Sequence, residues 1–99
     1  MNLQGQSEFS VASELTLDEV VEVANEVLRE YVARTPTITR AWADRDEAGD
    51  VRVQITTVSS SYAHVEREMD ALARVIAEAL QERRAGTQVS RGATELVPA

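Results

Sequence analysis

The sequence predicts an α+β domain of order strand–helix–strand–strand–helix, with an antiparallel sheet, on three observations. A capping box opens a long run of helical period, two alternating runs flank a short glycine-containing loop, and a second helical run closes on a basic, glycine-ended terminus. Ninety-nine residues match one ordinary domain. A chain of that length buries roughly 60–70% of the surface its unfolded form exposes, enough for one core. With 43% hydrophobic and only 4% aromatic residues, that core must consist mainly of Val, Leu, Ile and Ala.

Residues 1–7 are polar, contain Gly5 and show no period, so they read as a flexible lead-in to a domain spanning 8–86. Phe9, Val11 and Leu15 then fall on one side of an alternating stretch, the pattern of a half-buried strand. Thr16 and Glu19 have the spacing at which hydroxyl and carboxylate satisfy each other's backbone amides. Leu17, Val20, Val21, Ala24, Val27, Leu28 and Tyr31 continue at helical spacing, with Asp18 and Glu19 where the helix dipole favours negative charge. Pro36 pushes Thr35 out of the α region and ends that helix.

Residues 37–43 alternate, and so do residues 51–58, where Val51, Val53 and Ile55 point inward. The loop between them supplies Gly49 for a positive φ, so the two runs form a hairpin. Ser59, Ser60 and Ser61 offer N-caps to a second helix carrying Tyr62, Val65, Met69, Leu72, Ile76 and Leu80. Within it, Asp70 and Arg74 form an i,i+4 pair. Arg83, Arg84 and Gly86 mark its end. Residues 87–99 are either an edge strand or a frayed tail. With that strand, the plan is the ferredoxin-like βαββα(β) arrangement, both helices on one face of the sheet.

Several functions are excluded by composition. Cysteine is absent, which removes disulfides, thiol catalysis and Cys-ligated zinc. All ten basic residues are Arg, and the net charge of −7 opposes general nucleic-acid binding. No basic–apolar leader or membrane-length apolar run is visible, so the chain reads as cytoplasmic. Asp44, Asp46, Glu47 and Asp50 crowd the hairpin loop but lack EF-hand spacing, and the expectation is a charged turn without metal. No cofactor is called for.

Two surfaces are candidates. If the first and third strands lie parallel, the two helix N-termini share one sheet edge, where Thr16, Ser60, Ser61, Tyr62 and His64 would form a small-ligand site. His64, the only histidine, has no GxSxG-type elbow beside it, so no catalytic residue is assigned. The second candidate is the sheet face without helices, through Thr39, Ala41, Trp42, Gln54, Thr56 and Val58. Either Ile38 and Trp42 face the helices, leaving Thr39, Ala41 and Ala43 outward, or the register reverses and Trp42 becomes an exposed anchor. With no stacking aromatics in the first register, RNA binding of the RRM kind is not supported. The resulting expectation is a non-catalytic association module that forms a homo-oligomer or binds a protein partner. A small-ligand regulatory domain is the alternative, and a dimeric α+β-barrel-type enzyme using His64 or Tyr62 a third.

Overall fold

The computed structural model describes residues 3–58, 61–83 and 87–98, with side chains to Leu96. The chain runs β1 (Leu3–Ala12), α1 (Leu17–Arg34), β2 (Ile38–Arg45), β3 (Val51–Thr57), α2 (Tyr62–Arg83), β4 (Gln88–Arg91) and β5 (Glu95–Pro98). The strands form one antiparallel sheet in the order β2-β3-β1-β4, with β5 also paired to β1. This is the ferredoxin-like α+β plan, with the terminal segment as strand.

Both helices lie on one face because each has one apolar stripe to bury. Val20, Val23, Ala24 and Leu28 of α1 meet Val65, Met69, Leu72, Ile76 and Leu80 of α2 over Phe9, Ile38, Val51, Val53 and Ile55. The stripe of α2 is the one its spacing predicts, except that Tyr62 is 51% exposed. Thr16 caps α1 through the reciprocal bonds with Glu19: the Glu19 amide donates to Thr16 Oγ1 at 3.2 Å and the Thr16 amide to Glu19 Oε1 at 3.1 Å. The expected Asp70–Arg74 pair is not what α2 uses, since Asp70 Oδ1 accepts from Arg91 Nε at 2.9 Å.

β1 begins earlier than its sequence suggests. Residues 3–7, expected to be a flexible lead-in, pair with β3 from Leu3 opposite Thr57 to Phe9 opposite Val51. Gly5 and Ser7 are buried there: α2 comes down on Gly5 through Val65 and Met69, and Ser7 packs against Thr94. The other edge of β1 is shared: β4 covers Phe9–Ala12, and β5 covers Leu3–Gln6.

Arg91 fills the break between β4 and β5. Its guanidinium donates to Glu66 Oε2 at 2.7 Å, Asp70 Oδ1 at 2.9 Å, Thr94 Oγ1 at 2.8 Å and Gly92 O at 3.1 Å. Beneath it, the buried Ser7 and Thr94 hydroxyls bond at 3.0 Å. The arginine's hydrogen bond, aided by Thr94, holds the Glu66 carboxyl at about 2, well below its usual 4.5.

Candidate association surface

The two helix N-termini do not converge. β1 and β3 are antiparallel rather than parallel, so α1 starts beyond Ala12 while α2 starts beyond Thr57, which lies opposite Leu3. The starts are separated by the length of β1, on the order of 30 Å. Thr16 therefore stands at one end of the molecule, and Ser61, Tyr62 and His64 at the other. Ser60 lies outside the described residues. Antiparallel pairing is what a strand inserted between two βαβ-linked neighbours requires, and it overturns the shared ligand edge.

At the α2 end, Ser61 Oγ accepts from the His64 amide at 3.3 Å, an N-cap. His64 Nε2 lies 3.6 Å from Glu68 Oε1, and Tyr31 of α1 donates to Glu68 Oε2 at 3.2 Å. Burial, then the Glu68 charge, raises the Tyr31 phenol above its ordinary range. The Tyr31–Glu68 bond ties α1 to α2. The hairpin loop is likewise internally occupied: Asp46 Oδ1 accepts from the Glu47 amide at 2.8 Å and from Arg52 Nη2 at 3.1 Å. No group of three or more His, Asp or Glu among the described residues is arranged to hold a metal ion.

The uncovered sheet face is built by a β-bulge. Ile38 lies opposite Thr57 and Arg40 opposite Thr56, so Thr39 is an extra residue that reverses the side-chain alternation of β2. Ile38 therefore faces the core together with Ala41 and Ala43, and Trp42 faces outward, a combination that neither simple register allows. Small alanines suit the inward positions because α1 lies close. Asn25 Nδ2 donates to Ala43 O at 3.0 Å, and Asn25 Oδ1 accepts from the Ala43 amide at 2.8 Å.

Of the six residues expected on the uncovered face, Trp42, Gln54 and Thr56 are there, aligned with Gln4, Gln6, Glu8, Arg40 and Arg52. Val58, 50% exposed, follows just beyond β3. Ala41 turns to the helix side, and Thr39 sits at the bulge, where its hydroxyl donates to Thr56 O at 3.1 Å. The face is more polar than a Thr/Ala/Val surface, yet its polar groups largely satisfy one another. Gln4 Nε2 donates to Gln54 Oε1 at 2.9 Å, Arg52 pairs with Glu8 at 3.0 Å, and Gln6 Nε2 reaches Glu95 Oε2 at 3.1 Å. Half-buried Trp42 lies in this ladder with the Arg40 guanidinium 4.4 Å from its ring centre. Gln4, Gln6, Glu8 and Arg40 were not expected here. The first three belong to a strand whose start carried no legible period.

The sequence matches no family, and no curated protein is similar to it. Solved structures are similar in fold. A de novo designed protein with a ferredoxin fold has a TM-score of 0.57 at 19% identity, covering 93% of this chain and 83% of that one. A C-terminal segment of the alpha subunit of aIF2 from Pyrococcus abyssi reaches 0.67 at 18% identity, covering 91% of this chain but 49% of that one. A dimeric protein of unknown function and ferredoxin-like fold from Bacteroides fragilis gives 0.55 at 12% identity, covering 97% and 92%. At these identities the likeness is one of fold, and a ferredoxin-like fold hosts unrelated functions.

Proposed function

We propose that this protein is a non-catalytic association module that pairs with a second copy of itself through the uncovered face of its sheet. The observation that carries this reading is the outward-facing Trp42, braced by Arg40, amid a ladder of mutually paired polar side chains. An aromatic anchor within a face of satisfied groups is what an interface needs. The ring supplies apolar area, and few polar atoms are left stranded when water is expelled. That a ferredoxin-like neighbour of similar length is dimeric lends the reading a precedent for the fold. His64 and Tyr62 lie on α2, in the helix layer, and so contribute nothing to a space between two facing sheets.

The test is Trp42→Ala, read by sedimentation velocity over a wide concentration range. The parent should show a concentration-dependent mass, and the variant should weaken association by about tenfold or more while keeping its melting temperature within a few degrees. A parent that stays monomeric at high concentration overturns the proposal, as does a Trp42→Ala variant that associates as tightly as the parent.

A further inference from the structure

At the exposed edge of the sheet, β2 and α1 enclose a groove of about 360 Å³ lined by Asn25, Arg29, Val32, Thr39, Arg40 and Ala41. Three features single it out. The first is charge. Among the described residues, the arginines at 45, 52, 83 and 91 pair with carboxylates while those at 29, 34, 40, 67 and 74 do not, and two of these five, Arg29 and Arg40, line this groove. Two guanidiniums without carboxylate partners thus line one groove of a chain with net charge −7. The second is the strand edge. Asn25 makes with Ala43 the two-bond exchange that a neighbouring strand would make. Edge-facing groups recur every second residue in an antiparallel ladder, so Ala41 presents its N–H and C=O to the same side, within the groove. The third is Val32, an apolar side chain beside these polar groups.

We infer that this groove binds a short, extended acidic peptide segment of a partner protein, which adds beside β2 at Ala41 and sets a carboxylate side chain between Arg29 and Arg40. Strand addition supplies main-chain hydrogen bonds and the side-chain pockets supply selectivity. Arginine is suited to the second task because its planar fork matches a carboxylate and stays charged. Asn25 limits the length of the added segment by already occupying Ala43, and the bulge at Thr39 limits it on the other side. Recognition is therefore confined to a few residues, centred on one ladder position. The groove shares Arg40 with the uncovered sheet face, but Arg29 lies on α1, away from that face, so a change at Arg29 bears on the groove and not on self-association.

Trp42 is the only tryptophan, and Arg40 stacks on it, so its emission reports on the groove. The full chain is titrated with acetyl-Val-Glu-Val-Glu-Val-amide, following Trp42 fluorescence and the exchange of the Ala41 amide. Saturable binding is expected, with slowed exchange at Ala41 and a loss of about tenfold or more in Arg29→Gln, the worth of one charge-assisted contact. Self-association of Arg29→Gln should match the parent. Equal binding of the Val-Gln-Val-Gln-Val analogue, or undiminished binding by a folded Arg29→Gln, overturns the role of charge and with it the proposal. Unchanged exchange at Ala41 overturns strand addition. Succinate that displaces the peptide at equal concentration shows a small-acid site instead, and also overturns it.

Discussion

A methyl group at position 5 would stand 2.6 Å from Val65 Cγ1, closer than side-chain carbons approach, with Met69 Cε and Thr94 Cγ2 at 3.6 Å behind it. Gly5 is thus the point where α2 rests on β1, and its lack of a side chain sets the distance between the layers. Gly5→Ala should destabilise the fold by about 1–3 kcal/mol through overpacking, although alanine removes a flexible residue from the strand. Urea denaturation decides it, and a midpoint equal to the parent's would mean that α2 can shift at no cost. Thr16 gives a smaller, opposite kind of case, a residue whose work is fully local. Thr16→Ala removes the acceptor for the Glu19 amide and should cost about 1 kcal/mol by the same measurement. An unchanged midpoint would show that the exposed cap adds nothing. The cap was legible in the sequence because all its partners lie within four residues. Gly5 was not, because its partner Val65 lies sixty residues along the chain and no local period announces it.

Elements differ in the same way. α1, α2 and the β2–β3 hairpin follow from spacing, since an amphipathic period must be satisfied by some core wherever the chain puts it. The terminal strands have no such insistence. β4 and β5 are four residues each, and they are held by Arg91 reaching Glu66 and Asp70 on α2 as well as by their ladders. That anchor makes an acid-sensitive clasp. Glu66 titrates lower in the folded chain than in the unfolded one, so its contribution is fully present above the usual 4.5 and is lost as pH falls toward about 2. Because the pair is partly exposed, the loss should be on the order of 2 kcal/mol rather than more. Glu66→Gln keeps the shape and removes the charge, so its stability should change less between about pH 6 and about pH 3 than the parent's. Equal acid sensitivity in the two proteins would assign the effect to other carboxylates. The bulge in β2 also escaped the sequence. Residues 37–43 read as one alternating strand, whereas the kinked strand with Trp42 outward goes with the close approach of α1, expressed through the Asn25–Ala43 bonds.

On the scale of the whole molecule, charge and face oppose each other. Two copies that meet through their sheets each bring a net charge of −7, so long-range electrostatics resists the encounter. On the face itself Arg52 is offset by Glu8 and Asp46, while Arg40 keeps its charge and rests on Trp42. Attraction there must come from removing Trp42 and its neighbours from water, at about 25 cal/mol per Å² of apolar surface before ordering costs. Salt screens the repulsion over about 8–10 Å at physiological strength but leaves apolar burial in place. Self-association should therefore tighten, by about threefold or more, as ionic strength rises from about 0.02 M to about 0.3 M. Thr56→Arg, on the same face one row from Trp42 and opposite Arg40 and Gln4, adds a desolvation cost that salt cannot relieve. That variant should associate weakly at every ionic strength while denaturing at the parent's midpoint, within about 0.5 kcal/mol, because Thr56 points away from the core. Sedimentation equilibrium at the two salt concentrations reads both effects. Association that weakens with salt would place ion pairs, not Trp42, at the centre of the contact.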